Sequence, residues 1–332
     1  MVSAIFWGHS GVTMETRSYR ERIGITLGFR PANDLILRIE QFEHDGIETV
    51  WSTQNPLDLD IPTIYAAVAS RTSRIHLGTS IVPAFTRHPL ALLSQARTIE
   101  SISPRRLHLG IGTGHQYSLT RGYGISLDRS LSQLREYLQV LRTGLHEGKV
   151  SFDGEFYYAE ATFSSAAPTP VLISALRENA WELAGELSDG GISWNTPAEF
   201  LLNVAKPALE RGAARTGNPA PRLIAHQIVG FESAKRSKAE VREDVRKSLA
   251  GYTQTVYYPR MWEASGYPLG PDRQVPDALI DALLFSSDDD AAFAEFFRHR
   301  LDQGLDELLI QLVPGVDRDL DEARLAAIIG NI

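Results

Sequence analysis

The run Leu107-His108-Leu109-Gly110-Ile111-Gly112-Thr113-Gly114-His115 alternates apolar residues and closes on spaced glycines and a histidine. Glycines where a strand ends let the backbone approach a ligand, because no Cβ stands in the way. They would equally serve a tight turn, and the residues alone admit both readings. The spacing is not a dinucleotide-binding fingerprint, since no G-x-G-x-x-G opens a helix here. His115 follows the turn directly, which makes it the candidate acid, base or hydrogen-bond donor, because imidazole titrates near neutral pH. An exposed loop histidine without chemistry is the alternative.

Ser174-Ala175-Leu176-Arg177 stands where a strand gives way to a helix. Such a turn presents backbone N–H groups to an anion, and arginine pairs well with phosphate; a solvated arginine in an ordinary loop is the competing reading. Thr86-Arg87-His88-Pro89 reads first as a helix start, because proline is favoured at the first helical position, with a ligand-lining role for Arg87 and His88 second. The nine histidines include no H-x-x-x-H or H-E-x-x-H pair, and Asp288-Asp289-Asp290 complements a helix N-terminus. No metal is expected. With no cysteine in the chain, disulfides, thiolate catalysis and Cys-ligated metal sites are excluded.

These residues sit in short apolar runs that alternate with longer amphipathic stretches, the order of a parallel sheet covered by helices. Strands are expected at 23–29, 47–51, 75–82, 107–112, 171–175, 190–194, 223–231 and 307–313. Between them helices are expected at 32–44, 90–101, 129–146, 179–187, 197–215 and 239–252, with 277–285 and 288–303 following later. The segments Gln116 to Leu127 and Tyr252 to Tyr267 read as loops, rich in aromatic side chains that suit an apolar or ring-shaped ligand or the core. Eight strands with covering helices point to an α/β fold, a (β/α)8 TIM barrel, carrying a hairpin near 150–158 and a helical insertion near 251–303. The 332 residues are read as one domain, 1–332.

A net charge of −8 and the lack of a basic cluster argue against nucleic-acid binding. No apolar run is long enough to span a membrane, and residues 1–12 lack the basic flank of a signal peptide. A cytoplasmic location is expected.

The ordered segments Gly46-Ile47-Glu48-Thr49-Val50-Trp51, Leu77-Gly78-Thr79-Ser80-Ile81-Val82, Phe85-Thr86-Arg87-His88-Pro89, the glycine turn, Ile173-Ser174-Ala175-Leu176 and Leu183-Ala184-Gly185-Glu186-Leu187-Ser188-Asp189-Gly190 resemble the bacterial luciferase-like superfamily of flavin-dependent oxidoreductases. Within it they resemble the branch around methylene-tetrahydromethanopterin reductase, whose members use the deazaflavin coenzyme F420. The resemblance implies a cofactor at the strand C-termini and a bulge in the third strand, where Thr79, Ser80 and Ile81 contact the ring and Ser80-Ile81 is a non-prolyl cis peptide. It places Gly112, Thr113 and Gly114 near the ring's polar edge or ribityl chain, and Ser174, Ala175, Leu176, Arg177 and Glu178 near the phosphate. Relatives often carry Asp-His after the second strand and Gly-Pro after the Ser-Ala-x turn. This chain has Gln54-Asn55 and Arg177-Glu178 there, so Gln54 and Asn55 are catalytic candidates whose acid–base roles do not transfer.

The expected function is hydride transfer between F420 and a small organic substrate. An FMN-dependent monooxygenase fed by a flavin reductase is the runner-up, and a flavin- or deazaflavin-binding protein without turnover is the reading from another class. A homodimer is expected.

Overall fold

Helix starts in this chain are written in side chains. Asp60 accepts a hydrogen bond from the Thr63 N–H at 3.2 Å and opens a helix with a proline in its first turn, and His88 does the same through Nδ1 for the Leu90 N–H at 3.2 Å, ahead of Pro89. Each satisfies a donor that the first helical turn leaves unpaired. The Arg87 side chain is committed nearby, with Nη1 donating to Asp60 and to Gln95 at 2.8 Å each. The helix-start reading of Thr86–Pro89 therefore holds.

The computed structural model describes residues 17–332; the expectation made for residues 1–12 lies outside the described residues. The chain divides into two compact units. The first comprises Ile25–Ser174 and Leu187–Ile192. Its strands are β1 (Ile23–Leu27, from Ile25 on), β2 (Thr49–Ser52), β3 (His76–Thr79), β4 (Val82–Pro83), β5 (Leu107–Gly112), the hairpin β6 (Lys149–Asp153) and β7 (Tyr158–Thr162), then β8 (Val171–Ser174) and β9 (Gly190–Ile192). Its helices are α1 (Ala32–His44), α2 (Ile61–Ala69), α3 (Pro89–Ile102), α4 (Gln116–Tyr123) and α5 (Ser130–Glu147). Hydrogen-bonded neighbours run β1-β2-β3-β5-β8-β9, with β4 also paired to β5. The pairs from β2 through β9 are parallel. Helix α1 buries Leu35, Ile36, Ile39 and Phe42, the i, i+3, i+4 stripe visible in the sequence.

Of the described residues, the second unit comprises 17–24, Ala175–Glu186 and Ser193–Ile332. Helix α6 (Glu178–Leu187) belongs largely to it, as do α7 (Ala198–Phe200), a π-helical turn at Leu201–Ala205, and α8 (Lys206–Thr216). Strand β10 (Arg222–Phe231) follows, then α9 (Lys238–Thr253), α10 (Tyr257–Ala264), α11 (Asp277–Leu283), β11 (Leu284–Ser287), α12 (Asp290–Asp302), β12 (Glu307–Val313) and α13 (Arg318–Gly330). Strand β10 pairs in parallel with β12 over most of its length, and its last four residues, Ile228–Phe231, pair with β11.

Several expectations need correction. The stretch from Gln116 is helix α4, not a loop; it buries a single residue, Leu119, so it carries no apolar stripe to read. Tyr252–Tyr267 is likewise largely helical, through the end of α9 and α10. The third strand, expected over 75–82, is interrupted after Thr79 and the chain re-pairs at Val82, while the cis peptide expected between Ser80 and Ile81 is present at the break. The helix expected over 277–285 stops at Leu283, because the far end of β10 has backbone groups to satisfy and Leu284–Ser287 satisfies them as a strand.

Where α6 meets α8, the two backbones touch. A Cβ on Gly185 would collide with the Leu209 carbonyl oxygen, and one on Gly212 with that of Glu182. Gly185→Ala should therefore destabilise the protein by about 1–3 kcal/mol in urea unfolding, the usual effect of overpacking. Gly251→Ala, in α9 with nothing near its would-be Cβ, should stabilise it by about 0.5–1 kcal/mol; equal effects of the two would refute the contact.

Candidate active site

In a barrel built from such units the C-terminal strand ends carry the chemistry. In the first unit these ends are shaped by the missing side chains of β5. A Cβ on Gly110 would strike the Thr79 carbonyl oxygen, and one on Gly112 would strike Ser174 Oγ and lie 3.1 Å from Ile81 Cγ1. The glycines thus let the interrupted third strand and the end of β8 close in, and Ile81, Gly112 and Ser174 meet at one place. Gly114 follows with φ +74°, beside Pro83, a conformation that glycine adopts without strain.

Gln54 lies against the same bulge, its backbone N–H donating to the Ile81 carbonyl at 3.3 Å. It is 6% exposed, and its Oε1 has no hydrogen-bond partner among the described residues. A buried carbonyl oxygen without a donor is costly unless something else supplies one. Asn55 differs: its Oδ1 accepts from the Leu57 N–H at 3.1 Å and holds the turn before α2. Asn55 also lines a small crevice, about 20 Å³, with Leu27, Phe29, Thr53, Leu59 and Ile64.

The structure brings Gln54, Ser80, Ile81, Gly112 and Ser174 together and sets other predicted residues apart. Thr79 is fully buried, and its hydroxyl donates to the Gly110 carbonyl at 2.7 Å, so it joins strands. Ser80 is buried, and its carbonyl accepts from Thr53 Oγ1 at 2.9 Å. Thr113 is half-buried, and His115 is exposed at the residue preceding α4, which its side chain does not cap. Although its surface is open, the protein packed around the imidazole removes enough water to lower its pKa below the ordinary histidine value.

In the second unit, Ala175 is buried, Leu176 half-buried, and Arg177 and Glu178 exposed at the start of α6. The Arg177 guanidinium lies 4.3 Å from the centroid of the Tyr257 ring, a cation–π contact that leaves its N–H groups able to bind an anion. Glu178 is paired with Arg211 on α8, which places it in a helix–helix contact.

Sequence reasoning missed the residues grouped around β10 in this unit. His226, 4% exposed, stacks on Trp194 with ring centroids 4.0 Å apart, accepts the Asn195 N–H on Nδ1 at 3.2 Å and meets Gln311 Oε1 through Nε2 at 2.8 Å. Trp194 Nε1 in turn donates to the Tyr252 hydroxyl at 2.9 Å. The available signal was a polar residue inside an apolar strand run: His226 in Leu-Ile-Ala-His-Gln-Ile-Val and Gln311 in Leu-Leu-Ile-Gln-Leu-Val.

Burial pushes His226 down to about 4, so it is neutral at neutral pH and protonates only with difficulty when folded. The unfolded chain, with an ordinary histidine near 6.5, takes up that proton first. Its contribution to stability is therefore complete above about pH 6.5 and is lost as pH falls toward 4, about 3 kcal/mol in all. Urea unfolding of wild type and His226→Gln at pH 7 and pH 4.5 should show the smaller loss on acidification in the variant; parallel losses would contradict the assignment.

A family model described as luciferase-like monooxygenase matches residues 9–297. The 5,10-methylenetetrahydromethanopterin reductase of Methanolobus tindarius is 31% identical over 56% of this chain and 58% of its own length. The F420-dependent glucose-6-phosphate dehydrogenase of Nakamurella multipartita is 28% identical over 76% of each chain. Among solved structures, the coenzyme F420-dependent tetrahydromethanopterin reductase of Methanopyrus kandleri superposes with a TM-score of 0.76 at 19% identity, over 93% of this chain and 97% of its own. The FMN-bound oxygenating component of 3,6-diketocamphane monooxygenase from Pseudomonas putida gives 0.66 at 17% identity over 93% and 96%. The fold is thus a (β/α)8 TIM barrel, and the chain, an oxidoreductase by kinship, belongs to the luciferase-like monooxygenase family.

Proposed function

We propose that this protein transfers a hydride between coenzyme F420 and a small organic substrate. The observation that carries the reading is the place formed by Gln54, Ile81, Gly112 and Ser174. It offers a buried acceptor awaiting a donor, Gln54 Oε1, near an apolar side chain, Ile81, that packs against β5 where Gly112 carries no Cβ. The acceptor and the apolar surface suit a flat heterocycle with an N–H on one edge. The preference for the deazaflavin is supported by relatives named as F420-dependent.

Bound there, the cofactor supplies a two-electron hydride donor or acceptor. Ile81 backs the ring with apolar surface, Gln54 accepts from its N–H edge, and the glycine turn Gly112-Thr113-Gly114 offers backbone groups to its polar side. In the second unit, Arg177 stands at a helix N-terminus whose own N–H groups favour anions, and its charge suits a phosphate. Neither Gln54 nor Asn55 can exchange a proton, which leaves His115 as the titratable group next to the glycine turn. That same pair of amides favours a second reading, an FMN-dependent monooxygenase that receives reduced flavin from a reductase.

Titration of the purified protein should give at least tenfold tighter binding of F420 than of FMN, about 1.4 kcal/mol; equal affinities or a preference for FMN would favour the monooxygenase. Arg177→Ala should weaken cofactor binding by about 1.5–3 kcal/mol with little change in urea midpoint, and unchanged affinity would make Arg177 ordinary surface. His115→Ala should lower turnover about 10²-fold while cofactor affinity stays within a few-fold. If His115 donates the proton, its charged form is required. Because its pKa is lowered, wild-type turnover should fall as pH rises through a midpoint below the ordinary value of about 6.5, and the variant should lose that limb.

A further inference from the structure

Several arginines of this chain lie over aromatic rings and also spend their N–H groups on the protein. Arg97 lies 4.8 Å from the Phe163 centroid and donates to the Ser165 carbonyl. Arg129 lies 5.2 Å from that of Phe156 and pairs with Glu155, and Arg324 lies 4.2 Å from that of Phe231 and pairs with Asp290. Arg177 differs. Its Cζ lies 4.3 Å from the Tyr257 centroid, yet among the described residues its guanidinium has neither a hydrogen bond nor an ion pair. The neighbouring carboxylates are already taken, Glu178 by Arg211, and Glu182 by Arg211 and Arg215 at 3.0 and 2.8 Å. Helix α8 thus neutralises the acidic residues of α6, and the charge of Arg177 is left over.

Tyr257 is fixed by the residues that follow it. It opens α10, whose Tyr258, Met261 and Trp262 are buried. The Tyr258 ring packs on Tyr252 and on Trp262, with centroids 4.7 and 5.7 Å apart, and Trp262 Nε1 donates to the Asn195 carbonyl at 2.8 Å. Tyr257 itself is half-buried, a ring on an anchored turn. A free arginine side chain has many rotamers, and an anion that binds it must immobilise one of them, which weakens binding. A ring beneath the guanidinium removes that cost in advance. The attraction is to the ring's quadrupole, so the donor fork stays available to phosphate oxygens.

We propose that Tyr257 is a positioning residue for phosphate recognition, its ring holding the Arg177 guanidinium so that a phosphate meets a donor fork already ordered. The ring acts, not the hydroxyl, and it acts only through Arg177. This rests on the reading of Arg177 as the contact for a cofactor phosphate.

Riboflavin and FMN differ by one phosphate, and F420 differs from its deazaflavin chromophore by the phosphate and the tail beyond it. Within each pair, the ratio of affinities of the full chain, measured by fluorescence titration, reads the phosphate contact. Tyr257→Leu should lower the preference for the phosphorylated member about fivefold and leave the affinity for the unphosphorylated member as it is. Tyr257→Phe, which keeps the ring, should keep the preference, and Tyr257→Met replaces the leucine variant should that not fold. On an Arg177→Ala background Tyr257→Leu should change nothing further. A wild type that binds the chromophores without preferring phosphate would overturn the assignment, as would a preference that survives Tyr257→Leu or a loss shared by Tyr257→Phe. A parallel loss of affinity for the unphosphorylated member would show a merely structural role and overturn it equally. Binding of neither pair sinks the cofactor reading, and inorganic phosphate then decides the role of Tyr257. It should protect Arg177 from phenylglyoxal, followed by peptide mass, at about fivefold lower concentration in wild type and Tyr257→Phe than in Tyr257→Leu; equal protection in all three would contradict the proposal.

Discussion

The inner edge of β5 tolerates no side chain at two alternate positions, and most of what the first unit does follows from that. Gly110 admits the Thr79 carbonyl, and Gly112 admits Ser174 Oγ and the Ile81 side chain. Because the third strand can press in, it can break at Ser80-Ile81 and still pair with β5 at Val82 and Pro83. Because it breaks there, Ile81 turns its carbonyl to the Gln54 N–H, and Gln54 is buried with an acceptor to spare. An alanine at 112 would not add a contact; it would occupy the place where these elements converge.

Ordinary packing and site construction draw on the same residues here. The helix caps at Asp60 and His88, the Arg87 side chain and the Thr79 hydroxyl are all polar groups near the strand ends, and every one of them is spent on the scaffold. Asp60 shows the balance: burial raises its pKa, but hydrogen bonds from Thr63 and Arg87 outweigh that and hold it below the usual range, so it stays an anion that its partners need. At the other end of β12 the buried Glu307 is kept ionised in the same way, since Arg222 and Arg17 outweigh the effect of burial. Gln54 Oε1, by contrast, is a group that the scaffold does not use.

The barrel was legible because its strands are buried on both sides and its helices on one. Val171 to Ser174 and Glu307 to Val313 read as strands from their apolar runs, and α1 from its stripe. Helix α4 was not legible, since a helix that buries only Leu119 leaves no period to detect, and β11 was hidden because its strand conformation is imposed by the end of β10 rather than by Leu-Phe-Ser-Ser itself. Within the site, the glycine turn and the Ser80-Ile81 peptide could be anticipated from the resemblance. The second group could not, because His226 and Gln311 are far apart in the chain and acquire a direction only when the Asn195 N–H, at a residue with φ +48°, points at the imidazole.

A deazaflavin-type ring is proposed to bind where Gln54, Ile81, Gly112 and Ser174 converge. Hydrogen–deuterium exchange of the full chain with and without F420 tests it most directly. Slowed exchange at Thr53 to Asn55, at Ser80 to Val82, at Gly112 to His115 and at Ser174 to Glu178 is the predicted result. Protection confined to the charged groove of Lys235, Arg236, Lys247 and Val316, or none at all at saturating F420, would contradict it.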